Sequence, residues 1–279
     1  RNKEKPFLMM YLHKAPHRPW WPSPEKFAEF YEKEFPEPET LFDDYKGRGS
    51  AAKSAEMNIL THMQYMHDSK IRPSTLEEMG EVNPEIVYYR IDGTEYRPGP
   101  GGFLVPFNRG TPDQIAKYNV TLDKINNDFK ENWPKMNDKE KMQWKFQRYM
   151  QDYLATISSI DDNVGRVLDY LEENNLEDNT LVVYTSDQGF YLGEHGWYDK
   201  RFIYDESFKT PLLIKWPNKI KPGITNDEMV QNLDFAQTFL EAAGISSPED
   251  MQGESLMPLL TGDEDRWTRE EVYYHYYEY

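Results

Sequence analysis

No cysteine occurs in the 279 residues, so disulfides and thiolate metal sites are excluded within this chain. That absence leaves the compartment open, because exported bacterial proteins also often lack disulfides. No apolar run approaches the ~20 residues that a membrane-crossing helix needs. No signal-peptide pattern is visible, since Arg1 to Lys5 is polar and leads straight into an apolar stretch. Positive charge is scarce: 32 Lys and Arg face 49 Asp and Glu, for a net charge of -17. Without a sustained basic stripe, this balance speaks against nucleic acid as the main partner. An anionic substrate would have to meet Lys and Arg concentrated locally. Hydrophobic residues make up only 38%, but aromatics reach 15%, which argues against disorder despite a mean hydropathy of -0.87. Flat rings suit stacking on sugar faces, and they equally suit a Tyr-rich core.

The chain reads as alternating strands and helices, hence an α/β sheet protein without internal repeats or a convincing domain boundary. Pro6 to Leu12 (PFLMMYL) is a short apolar run and is expected to be a fully buried strand. The following His13 to Phe27 loop holds four prolines and excludes regular structure. Ser23-Pro24 then has the form of an N-cap followed by proline at N1, opening a helix to about Glu34. Residues 35–47 are expected as loop and Ala51 to His67 as a helix. Arg72 to Asp113 is expected to be irregular, with a breaker cluster from Arg97 to Gly102. Asp138 to Asn174 carries apolar residues every three or four positions, which predicts a long helix. Strands are expected at Thr180 to Thr185 and Pro211 to Lys215. A helix is expected from Leu233 to Ala243 with Gly244 at C′, and a helical turn from Leu256 to Leu260. Glu271 to Tyr279 is expected as a last strand.

The chemistry concentrates between Leu181 and Pro217. A strand ends at Thr185-Ser186-Asp187-Gln188-Gly189, and a Gly-containing loop then delivers His195, Lys200 and Arg201. Polar groups at the carboxyl end of a strand are where α/β enzymes place ligands. Asp187 and Gln188 offer a carboxylate and an amide oxygen, hard donors suited to Ca²⁺ or Mg²⁺. Two ligands are too few for calcium, which takes 6–8 oxygens, and Asp-Gln-Gly is equally the composition of an ordinary turn. Lys200 is a compact charge for an anionic oxygen and Arg201 offers a fork; both residue types are also common on surfaces. His195 lies between Gly193 and Gly196, which permit close backbone approach. His13 and His17, in HKAPHRPW, are candidate general acids, since imidazole titrates near neutrality. His62, His67 and His275 have no comparable context and read as structural.

The stretch LVVYTSDQGFYLGEHGWYDKRFIYDESFKTPLLIKWP resembles the signature of the formylglycine-dependent sulfatases, in the alkaline-phosphatase-like superfamily. PFLMMYLHKAPHRPWWPSPEKF resembles that family's earlier histidine segment, and LDFAQTFLEAAGI and GESLMPLLTG resemble later ones. HKAPHRPW together with PEPETLFDDY is most similar to enzymes acting on 6-O-sulfated N-acetylglucosamine in glycosaminoglycans or mucin glycans. The resemblance implies an alkaline-phosphatase-like sandwich, a mixed and mostly parallel sheet flanked by helices. It implies Asp187 and Gln188 as one pair of metal ligands, with Gln188 standing where many relatives have Asn or His. It implies Lys200 as the lysine that holds the sulfate and His17 as the donor to the leaving alcohol. His195, Arg201 and His13 fall close to substrate with less defined roles.

The family's nucleophile is a formylglycine made within C/S-x-P-S/A-R, and that pattern is absent here. Its paired metal-binding aspartates also have no counterpart. Residues 1–279 are therefore expected to be a central-to-C-terminal part of one sulfatase catalytic domain, inactive alone. Its expected partners are a sulfated carbohydrate and the remaining parts of the same enzyme. The resemblance implies an exported location, periplasmic in a bacterium. Two rival readings remain: a phosphodiester or phosphonate monoester hydrolase of the same superfamily, and a non-catalytic glycan-binding segment.

Overall fold

A computed structural model describes residues 5–84, 88–89, 94–96 and 101–275. The described elements begin with helices α1 (Pro24–Tyr31), α2 (Ser50–Ser54) and α3 (Pro73–Met79), then strands β1 (Tyr88–Tyr89) and β2 (Glu95–Tyr96). Helices α4 (Gly101–Arg109), α5 (Pro112–Asn132) and α6 (Asp138–Glu173) come next. Strands β3 (Val182–Thr185), β4 (Tyr191–Leu192) and β5 (Tyr198–Asp199) precede α7 (Asp205–Phe208), β6 (Leu212–Lys215), α8 (Asp234–Ala242) and α9 (Met257–Thr261). None of the described helices is long and apolar enough to cross a membrane. The chain divides into two compact units, Arg1–Arg166 with Tyr191–Asp199, and Val167–Phe190 with Lys200–Tyr279.

The first unit is built on helices whose ends are set locally. Ser23 accepts from the Lys26 amide at 3.3 Å with Pro24 in the first turn, so α1 begins where the sequence predicts. Thr111 and Gln114 form a reciprocal capping box that opens α5. Asn137 and Glu140 do the same for α6: Asn137 Oδ1 accepts from the Glu140 amide, and Glu140 returns a carboxylate to the Asn137 amide. Tyr118, Leu122, Ile125 and Phe129 of α5 recur at helical spacing, and all are buried with Phe27, Tyr65, Ile71 and Trp133. On α6, Phe146, Tyr149, Met150 and Tyr153 form the buried stripe.

Three expectations for this unit fail. Residues 6–12 carry no strand and are exposed, Leu8 by 73%, Met10 by 71% and Leu12 by 78%. A run apolar on both faces becomes a buried strand only where neighbours supply ladder partners, and hydrophobicity alone does not name them. The helix expected over Ala51 to His67 stops at Ser54. Beyond it, Asn58 Oδ1 accepts from the Leu60 and Thr61 amides, and the Ile59 amide donates to the Gly196 carbonyl. The Tyr198 amide likewise donates to the Met57 carbonyl, so distant backbone takes the bonds a helix would have made. The irregular stretch expected from Arg72 to Asp113 contains α3 and α4. Of the breaker cluster, residues 97–100 lie outside the described residues, while Gly101 and Gly102 open α4.

In the second unit β3 pairs antiparallel with β6, Val182 facing Lys215 and Thr185 facing Leu212. Helix α8 ends in Gly244 at φ +72°, the left-handed C′ position expected. Leu256, Leu259 and Trp267 form this unit's buried cluster. Residues 271–275 form no strand, and 276–279 lie outside the described residues. Helices with small sheets make the α/β composition expected. Every ladder among the described residues is antiparallel and two-stranded, so the parallel order implied for the sheet is not found among them.

Candidate functional site

The candidate residues fall into two sets. His13, His17 and His195 belong to the first unit, and Asp187, Gln188, Lys200 and Arg201 to the second.

In the first unit the loop from His13 to Trp20 is held at both ends of its central histidine. The His17 amide donates to the Lys14 carbonyl at 3.0 Å. The indole of fully buried Trp20 donates to the Pro16 carbonyl at 2.7 Å. His17 itself is exposed, and its Nδ1 lies 2.8 Å from the Arg18 carbonyl oxygen. A carbonyl only accepts, so Nδ1 carries the proton and Nε2 is the nitrogen left for exchange with a ligand. The Arg18 guanidinium makes two parallel bonds to Asp68, Nε to Oδ1 at 2.8 Å and Nη2 to Oδ2 at 2.6 Å. Asp68 is fully buried, and its Oδ2 also accepts from the Gln64 amide at 2.8 Å. Burial works against both charges, but their mutual attraction outweighs it. It holds the Asp68 carboxyl below its ordinary range and the Arg18 guanidinium above its own. His13 is exposed, its ring 4.4 Å from that of Tyr11.

His195 is buried, with only 8% exposed. It sits in a turn at φ +58°, behind Gly193 at φ +104°. Its Nδ1 donates to Asp43 Oδ2 at 2.9 Å, and Arg48 donates to that same carboxylate oxygen at 2.9 Å. Its place is therefore among protein groups on the side of Asp43, a residue of the acidic loop that sequence reading had not singled out. The run FDDYKGR held the only available signal: paired acids next to cations after an apolar Leu-Phe.

In the second unit β3 ends at Thr185, and the next residues present Asp187 exposed and Gln188 half-buried. The Asn232 side chain donates from Nδ2 to the Asp187 carbonyl at 3.1 Å, fixing the turn. Gly189 is required there: its amide donates to the Ser207 carbonyl, and an added Cβ would lie 2.3 Å from the Glu206 carbonyl oxygen. Among the described residues no cation pairs with the Asp187 carboxylate and no carboxylate pairs with the Lys200 ammonium. An exposed carboxylate and a half-buried lysine of this kind are available to an added cation and an added anion. Arg201 folds back, its Nη1 2.6 Å from the Lys200 carbonyl.

The donor chemistry at Asp187 and Gln188 suits a hard cation, but no group of three or more His, Asp or Glu among the described residues could hold a metal. These residues fit part of a calcium site and do not complete one.

The N-sulphoglucosamine sulphohydrolase C-terminal family matches residues 193–279. Over its whole length the chain is 43% identical to an N-acetylglucosamine-6-O-sulfatase of Bacteroides thetaiotaomicron and covers 47% of that protein. It is 37% identical over 123 residues to the N-acetylglucosamine-6-sulfatase of Bos taurus, covering 43% of this chain and 22% of the bovine protein. Among solved structures, one in complex with its substrate D-glucosamine-2-N,6-O-disulfate superposes with a TM-score of 0.85 at 40% identity. That superposition covers all of this chain and 53% of the other. The chain thus spans about half the length of the first of these relatives and less of the bovine one.

Proposed function

We propose that the chain is a partial sulfatase region and that it supplies part of an active site hydrolysing 6-O-sulfate esters of N-acetylglucosamine or glucosamine units. The observation that carries this reading is the 43% identity, along the entire chain, to an N-acetylglucosamine-6-O-sulfatase. Sulfated glycosaminoglycan or mucin chains are the substrate class it favours, and an exported location accords with such a substrate.

The family resembled uses a formylglycine nucleophile, and the C/S-x-P-S/A-R pattern that yields it does not occur in residues 1–279. Asp187 and Gln188 would hold Ca²⁺ in part, and that ion when bound supplies positive charge to sulfate oxygens. Lys200, without a carboxylate partner among the described residues, binds a non-bridging sulfate oxygen and neutralises the charge that grows on it as the ester cleaves. When doubly protonated, His17 keeps its Nδ1 proton on the Arg18 carbonyl and gives its Nε2 proton to the bridging oxygen as the S–O bond to the sugar breaks and the sulfuryl group passes to the nucleophile, so the sugar leaves as a neutral alcohol.

The test is Lys200→Ala in the full-length enzyme, assayed on 6-O-sulfated N-acetylglucosamine. Loss of one charge-stabilising contact is expected to lower kcat by roughly 10²–10³-fold with an unchanged thermal midpoint. Turnover within a few-fold of the parent overturns the sulfate-clamp role.

A further inference from the structure

Arg18 is bonded at both of its ends. Its carbonyl oxygen accepts from His17 Nδ1 at 2.8 Å, and its guanidinium forks onto Asp68. The guanidinium also lies over the Tyr198 ring, 5.1 Å from the centroid, and 5.9 Å from that of Trp20. The bond to Arg18 is the one hydrogen bond the described residues give the exposed His17 ring. Its orientation is thus set by a residue whose other end is fixed in the core.

We infer that the Arg18–Asp68 ion pair is a positioning device for His17, fixing its tautomer and the direction of Nε2, so that it governs proton delivery to the leaving alcohol rather than sulfate binding. A fully buried carboxylate gripped by a two-point fork leaves the arginine little rotational freedom. The Arg18 carbonyl is then a fixed acceptor that selects the Nδ1–H form of neutral imidazole and is satisfied by imidazolium as well. A lysine at position 18 would keep the charge and lose the fork. The Gln64 amide, bonded to Asp68 Oδ2, extends the fixed frame one step further.

A merely structural ion pair and a positioning one make different predictions. A loosened structure lowers turnover of every substrate in parallel. A misdirected proton donor harms only esters whose leaving group needs a proton. A sugar alkoxide needs one, whereas 4-nitrophenolate departs unassisted. The inference rests on the proposed role of His17, so His17→Ala is the reference.

In the full-length enzyme, kcat and KM are measured for parent, Asp68→Asn, Arg18→Lys and His17→Ala on 6-O-sulfated N-acetylglucosamine and on 4-nitrophenyl sulfate. For His17→Ala, kcat on the sugar ester is expected to fall by roughly 10²-fold or more, with aryl sulfate turnover little changed. Asp68→Asn and Arg18→Lys are expected to show the same selectivity with a smaller loss, about 10-fold or more, and KM near the parent value. Parallel losses on both substrates, or no loss on either, in Asp68→Asn and Arg18→Lys while His17→Ala remains selective overturn the positioning role alone. An unselective His17→Ala overturns the proton-donor reading and the positioning role with it. Should Asp68→Asn fail to fold, Arg18→Lys, which keeps the charge pair, carries the comparison.

Discussion

His195 Nδ1 lies 2.9 Å from Asp43 Oδ2, joining two loops 152 residues apart. The Tyr45 hydroxyl donates to the His195 carbonyl at 2.6 Å, the His195 amide donates to Thr40 Oγ1 at 3.1 Å, and the Tyr45 ring stacks on that of Trp197. The acidic loop is therefore the support of the turn that precedes Lys200.

Asp43→Asn tests that support. Burial raises the Asp43 carboxyl, but the bond from His195, the Tyr45 amide and the Arg48 charge outweigh it, leaving the pKa below its ordinary 3.8. A carboxyl depressed by folding contributes stability that is present above its unfolded value and lost as pH falls through the folded one. The parent is thus expected to lose this contribution below about pH 4. Asp43→Asn should be less stable at pH 7 by about 1–3 kcal/mol and lose less on acidification. Urea unfolding at pH 7 and pH 3 reads both, and identical pH dependence in the two proteins refutes the coupling.

His67 sets a second pH window. Burial pulls its pKa down from 6.5 to about 4, with Asp68 opposing and Arg18, Lys70 and His17 adding to the fall. Between those values the unfolded chain takes up a proton that the folded chain refuses, so stability drops as pH falls from 6.5 towards 4. The drop is on the order of 3 kcal/mol. His67→Asn should flatten that slope in unfolding titrations, and an unchanged slope would contradict the burial of a neutral ring.

Gly193→Ala should destabilise the first unit without altering any charge. Gly193 stands at φ +104°, and an added Cβ would lie 2.6 Å from the Phe146 ring. Left-handed strain and overpacking together cost about 2–4 kcal/mol. A thermal midpoint equal to the parent's would show that the turn relaxes freely.

Arg269→Leu probes the second unit. Arg269 forks onto Asp234, which is fully buried and also accepts from the Gln231 and Glu254 amides. Removing the cation leaves a buried carboxylate and should cost about 3 kcal/mol or more. Asp234→Asn together with Arg269→Leu should cost less than the two single effects summed. Strict additivity in urea unfolding would show that the pair is not coupled.

Elements with a local signal were legible. Ser23-Pro24 marked α1, the apolar stripe marked α6, β-branched residues marked β3, and Gly244 marked the end of α8. Helix α5 was equally legible, since Thr111-Pro112-Asp113-Gln114 is a capping box in plain sequence. The breaker cluster from Arg97 to Gly102 pointed instead to an irregular stretch running to Asp113. The segment after Ser54 was not legible, because its backbone bonds go to residues near 196–198, far along the chain.

The sequence by itself determined the start of α1, the long α6, the end of α8, the β3 turn carrying Asp187 and Gln188, and the placing of Lys200 beyond it. Each depends on residues within a few positions of one another. Only the tertiary structure decided that Asp43 meets His195, that Arg18 is gripped by Asp68, and that the apolar residues 6–12 form no described strand. Such pairings depend on which distant segment satisfies a charge or a backbone bond, and no local pattern of residues specifies that partner.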